Sequence, residues 1–215
     1  MIELSTIPKE LLVSRKANNG NNIVIFGRMS WPKLFTAEVN KADAGKADAK
    51  KKFQLNLLIP PSADLSYLKT RCQELAKERW GDKLKDMKLK SPFLKAEDYK
   101  YEGHLPGWTY LRLSAISKPQ VVEAKDGALF RITEEDPEIV YSGRWAQVTV
   151  NPFAYPKAGA QDLGNRGISI GLNNVMLLMH DEGLGGRMKA EDEFEAAEAP
   201  EGSTGGKTVD ELFGY

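Results

Sequence analysis

Aromatic and basic residues fall side by side at four places in the chain: Arg28 with Trp31, then Trp108, Tyr110 and Arg112, then Arg144 and Trp145, and finally Phe153, Tyr155 and Lys157. Single-stranded nucleic acid is the ligand that uses such a mixture. Each base has a π-face worth about 1–3 kcal/mol when stacked on an aromatic ring, while Lys and Arg neutralise the backbone and release its counterions. The expected stacking set is therefore Trp31, Trp108, Tyr110, Trp145, Phe153 and Tyr155. Phosphate contacts are expected from Arg28, Lys50, Lys51, Lys52, Arg112, Arg144 and Lys157. Packing competes for the same residue types. Phe26, Phe53 and Trp80 are expected in the core, and Trp108 and Tyr110, opposite an apolar face, are either exposed or covered by another element.

Other chemistries find less support. Glu123-Ala-Lys125 matches the Glu-x-Lys half of a metal-dependent nuclease site, but it abuts the turn signal Asp126-Gly127 and reads better as a solvated hairpin flank. Glu134-Glu-Asp136 runs into Pro137 and reads as an exposed turn. Gly202-Ser-Thr-Gly-Gly-Lys-Thr208 resembles a P-loop, yet Glu201 stands where the first glycine is needed and no strand precedes it. Only His104 and His180 are present, and no His/Cys/Asp grouping has zinc spacing. The single cysteine, Cys72, fits a reducing compartment and a core-facing helix position. No catalytic residue, metal ligand or cofactor is expected. A metal-dependent nuclease acting through Glu123 and a protein-interaction module without DNA binding are the alternatives.

The elements that must position the aromatic and basic residues are mostly strands. Residues 22–31 are β-branched and aromatic, with Gly27 marking a bend and Pro32 ending or perturbing the strand. Phe53, Leu55, Leu57 and Ile59 alternate ahead of Pro60-Pro61. The Ala/Lys/Asp stretch between these strands, residues 41–52 with five lysines, reads as a flexible hairpin tip. Residues 64–80 carry a helical apolar stripe of Leu65, Leu68, Cys72, Leu75 and Ala76, capped by Ser62 or Asp64 and ended by Gly81. Residues 82–107 read as mostly irregular. Strands are expected again at 108–116, at 120–122 and 129–132 around Asp126-Gly127, at 144–150 with Trp145, Gln147 and Thr149 outward, and at 168–179 with a bend at Gly171. Many short strands with one helix and no βαβ alternation predict a mainly β protein built on a small barrel.

Charge divides the chain. There are 30 Lys+Arg against 30 Asp+Glu, yet residues 190–215 hold eight acids and one base, so that tail is −7 and residues 1–189 are +7. The tail has too little apolar surface to offset an ordering cost of ~1–2 kcal/mol per residue and is expected to be disordered. Residues 1–189 are expected to form the binding domain. The tail ends in Asp210, Glu211, Leu212, Phe213 and Tyr215, a polyanion with an aromatic end, suited to competing with DNA for a basic groove and to docking in partner proteins. No apolar run nears the ~18 residues of a membrane span, and residues 1–3 begin neither a basic nor an apolar signal segment, so a cytoplasmic protein is expected. The sequence leaves a homodimer open.

Several segments in order, Lys118-Pro-Gln-Val-Val122, Ile139-Val-Tyr-Ser-Gly143, Val150-Asn-Pro-Phe-Ala-Tyr155, Gly167-Ile-Ser-Ile-Gly-Leu-Asn-Asn-Val175 and Leu184-Gly-Gly186, resemble a family of phage single-stranded DNA-binding proteins. The resemblance covers most of residues 22–186. It implies an OB-fold, a five-stranded barrel elaborated by an extended hairpin and one main helix, that binds single-stranded DNA on a strand face without enzymatic activity. It also implies action in phage replication or recombination inside the host cell. The acidic tail is similar in kind to those of bacterial and phage single-stranded DNA-binding proteins, which implies recruitment of replication or recombination proteins.

Overall fold

Alternation of Ile23 and Ile25, of Leu55, Leu57 and Ile59, of Leu111 and Leu113, and of Ala146, Val148 and Val150 puts one apolar side chain in every two on the same face of its strand. All of these are buried in one core. In the computed structural model, which describes residues 2–40, 44–45, 49–159 and 164–185, nine strands and one main helix follow from this pattern. They are β1 (Arg15–Lys16), β2 (Ile23–Val39), β3 (Lys51–Ile59), α1 (Ser66–Trp80), β4 (Leu94–Lys95), β5 (Thr109–Ala115), β6 (Gln120–Lys125), β7 (Ala128–Ile132), β8 (Trp145–Tyr155) and β9 (Gly167–Leu177). The chain divides after Gly185. The tail expected to be disordered and its candidate partner-binding residues, Asp210, Glu211, Leu212, Phe213 and Tyr215, lie outside the described residues, as do Lys41 and Lys46 of the hairpin tip.

Five strands close a barrel. β3 pairs with both β2 and β5, β2 with β8, and β8 with β9, all antiparallel, and a parallel pairing of Leu113 with Ile170 joins β5 to β9. Numbered within the barrel, the order is 1-2-3-5-4-1, the OB-fold arrangement. The hairpin β6–β7 extends the sheet beyond β9, and β4 lies against the outer end of β5.

The start of α1 differs from expectation, and the structure sharpens two further expectations. β2 does not end at Pro32 but runs on to Val39, because the register against β3 slips between Ser30 and Lys33 and the proline falls in that bulge, where no ladder bond is required of it. Helix α1 is not capped by a Ser62 or Asp64 side chain; Leu65 is the N-cap residue, and Asp64 Oδ1 instead accepts the Ser66 N–H at 2.8 Å. Residues 82–107 contain the short strand β4 and two 3-10 turns. Phe53, expected in the core, is only half-buried. Leu68, Cys72, Ala76 and Trp80 form the buried stripe of α1 against β8 and β9, and Gly81 ends the helix at φ +53°. Burial raises the Cys72 thiol to about 11, as expected of a structural cysteine. The bend foreseen at Gly171 is a register shift two residues later, at Asn173.

Gly27 sits where β2 passes from β8 to β3. A Cβ there would lie 2.6 Å from the Leu58 carbonyl oxygen and 2.8 Å from the Leu57 side chain, so only glycine lets the strand coil this closely over its neighbour.

A second apolar layer lies outside the barrel. Phe26, Leu58, Trp108, Tyr110 and Trp145 point away from the barrel interior and are covered by Ile7, Leu12, Ala96 and Leu184 from three separate segments.

Candidate nucleic-acid interface

That second layer decides which expected residues a ligand can reach. Trp145 is 1% exposed, stacked on Phe26 at 5.1 Å and donating its indole N–H to Asp181 at 2.8 Å. Trp108 packs on Trp145 at 6.0 Å, and Tyr110 is buried beside it. Trp145 and Gln147 do point out of the barrel, but neither reaches solvent: Trp145 enters the second core and Gln147 is buried.

Two expected phosphate ligands are also internal. Arg28 Nε donates to the Gly143 carbonyl at 2.8 Å and Nη2 to the Glu182 carbonyl at 2.6 Å, with the Asp181 carboxylate 3.6 Å away. Arg144 donates to the Ile139 carbonyl at 2.7 Å and forms an ion pair with Glu123. Their planar forks tie loops to the barrel, a task that demands the same residue type as phosphate binding. Asp181 anchors this network. Burial pushes its carboxyl up, but hydrogen bonds from the Trp145 indole, the Glu182 N–H and the Ile2 N–H, with the Arg28 charge, outweigh that and hold it below the usual carboxylate range. Glu123, the nuclease candidate, is held below its ordinary value by the Arg144 hydrogen bond. Among the described residues no three His, Cys, Asp or Glu side chains are grouped to hold a metal ion.

Arg112, Phe153 and Tyr155 share an outer face. In β5 the inward residues are Leu111 and Leu113, so Arg112 faces out, and it is exposed. Its cross-strand partner is Asn56 of β3, whose own partner in β2 is Ser30. On the other side, the Leu113–Ile170 pair sets Arg112 beside Ser169 of β9, and Ser169 pairs with Phe153 of β8. One row thus runs Phe153, Ser169, Arg112, Asn56, Ser30 around the barrel, with Trp31 next to its end. A neighbouring row carries Lys33, Gln54, Ser114 and Gly171. The guanidinium of Arg112 rests 5.1 Å from the Tyr99 ring and 5.6 Å from that of Tyr110, which fixes it outward. Between Arg112 and Tyr155 opens a cavity of about 460 Å³, lined also by Lys90 and Ser169.

Trp31 is the most unusual residue in the row. It is 57% exposed and has φ +52°, a conformation sparsely populated by bulky side chains. The bulge at residues 31–32 imposes it, and the Ser142 hydroxyl accepts the Trp31 N–H at 2.8 Å. The ring meets Tyr101 edge-on at 6.1 Å, and Tyr101 in turn packs on His104, whose pKa burial lowers. Phe153 is 45% exposed, Tyr155 half-buried and Lys157 exposed. Arg79 of α1 donates to the Pro156 and Lys157 carbonyls and holds that segment in place. Lys50 and Lys51 are exposed and Lys52 half-buried, at the start of β3.

Lys33, Lys90, Tyr101, Asn56 and Ser169 were not anticipated from sequence. Alternation along β3 places Asn56 outward, but Tyr101 and Lys90 come from the stretch read as irregular.

A family model described as Enterobacter phage Enc34, ssDNA-binding protein, matches residues 22–204. The chain belongs to this family. Its fold is also that of solved members: the single-stranded DNA-binding protein from bacteriophage Enc34 in complex with ssDNA aligns with TM-score 0.55 at 18% identity, covering 76% of this chain and 89% of that one. A second structure of the single-stranded DNA-binding protein from bacteriophage Enc34 aligns with TM-score 0.55 at 17% identity over 81% of this chain and 90% of that one. No curated protein matches the chain. Among the described residues of this Enc34-family protein, no helix is long and apolar enough to cross a membrane.

Proposed function

We propose that this chain is a non-enzymatic, sequence-nonspecific single-stranded DNA-binding protein of a phage, coating exposed strands during replication or recombination in the host cytoplasm. The observation that carries the reading is the exposed Arg112 on the barrel's outer face, with exposed Phe153 at one end of its row and exposed Trp31 beside Ser30 at the other. Membership of the Enc34 family supports it. Trp31, Phe153 and Tyr155 stack on bases, with Tyr101 backing Trp31. Arg112, Lys33, Lys50, Lys51, Lys52, Lys90 and Lys157 meet phosphates. Arg28, Arg144, Trp108, Tyr110 and Trp145 drop out of the contact set and hold the scaffold. The acidic tail competes with DNA for the basic face, and Leu212, Phe213 and Tyr215 recruit replication or recombination proteins.

Tryptophan fluorescence tests this reading. Trp80, Trp108 and Trp145 are buried and Trp31 is exposed, so quenching by bound bases reports on Trp31. Titration with oligo-dT is expected to quench the wild type and to leave the fluorescence of Trp31→Phe nearly unchanged while an anisotropy signal still shows binding. Full quenching in Trp31→Phe, or no salt-sensitive binding at all, would overturn the reading.

A further inference from the structure

The hairpin β6–β7 ends the sheet with an apolar strand that no described residue covers. Among the described residues β7 has β6 on one side and no strand on the other, yet its Leu129 is 64% and its Phe130 51% exposed. An open apolar edge is a template for a further strand, and proteins usually blunt it.

The ladder fixes which backbone groups are on offer. Asp126 and Gly127 both have positive φ, 51° and 75°, the two-residue type I′ turn. In such a turn the flanking residues, Lys125 and Ala128, form a hydrogen-bonded pair, and counting by two along the register assigns Phe130 and Ile132 to β6 as well. The N–H and C=O of Leu129 and Arg131 consequently face the open edge. Asp126 at one end of the strand and Glu134, Glu135 and Asp136 beyond the other outnumber Lys125 and Arg131, so the charge disfavours a phosphate backbone there.

We propose that β7 is the interface of a homodimer, in which two copies of this chain pair their β7 strands antiparallel about a twofold axis. With Leu129 bonded to Arg131 of the partner subunit and Arg131 to the partner's Leu129, Phe130 meets the partner's Phe130 in the non-hydrogen-bonded position, where facing side chains approach most closely. Ala128 and Ile132 fall opposite one another on the same face at both ends, so that face of the junction is apolar throughout. Neighbouring registers lose these features: one sets Arg131 against its own symmetry copy, and the other moves Phe130 across from alanine. The arrangement is self-complementary, as a twofold interface must be.

Sedimentation velocity of the full chain at tens of micromolar is expected to give a dimer, and Phe130→Glu a monomer with an unchanged circular dichroism spectrum and unchanged affinity for a short oligonucleotide. A second variant keeps the test independent of charge. Phe130→Cys should cross-link to a covalent dimer in oxidised glutathione, and Leu129→Cys, which faces Arg131, should not; Cys72 is buried and does not compete. A monomeric wild type, a dimeric Phe130→Glu, or a dimer in which Phe130→Cys fails to cross-link would each overturn the proposal.

Discussion

Trp31 combines exposure with a strained backbone, two properties that packing alone would not select in one residue. A positive φ costs a bulky side chain about 1–3 kcal/mol, which glycine does not bear. Trp31→Gly is therefore expected to keep or raise the melting temperature while weakening single-stranded DNA binding by roughly ten- to a hundredfold, the loss of one stacked base at ~1–3 kcal/mol. Calorimetry and anisotropy on the same sample separate the two effects, and an unchanged affinity would remove Trp31 from the interface. Asp181 belongs to the opposite class. Its depressed pKa means that its stabilisation is complete above the unfolded carboxylate value of about 3.9 and is lost as pH falls through the lower folded value. Asp181→Asn should leave the Arg28 charge buried beside a neutral group, destabilise by ~3–5 kcal/mol at pH 7, and flatten the acid limb of the stability curve below about pH 4. An acid limb as steep as the wild type's would show that other carboxylates govern it. Residue type could not separate these classes in advance. Arg28 and Arg112 are the same side chain on the same barrel face, and only the covering by residues near Gly143 and Glu182 turns one into scaffold.

Elements were more legible than side chains because periodicity reports which face is apolar, not what lies on the other face. The inward residues of β3, β5 and β8, the stripe of α1 and the Asp126-Gly127 turn all follow from local pattern. Trp145, by contrast, was placed outward correctly with respect to the barrel and wrongly with respect to solvent, since the cover comes from segments distant in sequence. β2 is the element on which the face depends. Its coil at Gly27 leads into the bulge that presents Trp31, and a Cβ at residue 27 would sit 2.6 Å from the Leu58 carbonyl oxygen, so the backbone of β3 would have to shift. Gly27→Ala is expected to destabilise by ~1–3 kcal/mol, the range for overpacking. In a domain of this size that lowers Tm by roughly 3–10 °C. A thermal melt followed by circular dichroism measures it, and a Tm equal to the wild type's would show that β2 and β3 can separate without cost.

At the scale of the whole molecule, the equal totals of acids and bases conceal a basic body and an acidic tail, +7 and −7. The tail proposed as a competitor is, like DNA, a polyanion, so the attraction of either to the body would have the same physical origin and the same dependence on salt. If the body engages six phosphates, log affinity falls with log salt at a slope of about −0.7 per phosphate, or roughly 300-fold between 50 and 200 mM. A tethered competitor lowers apparent affinity most where electrostatics are strongest, at low salt, and its effect fades as the screening length shrinks toward ~3 Å at 1 M. Deleting residues 190–215 is thus expected to raise oligo-dT affinity at 50 mM salt, to steepen the salt slope, and to give a curve that converges with that of the full chain at high salt. A gap that stays constant across salt would mean that the tail acts by occupying space and not by charge, and no gap would remove the tail from DNA binding altogether.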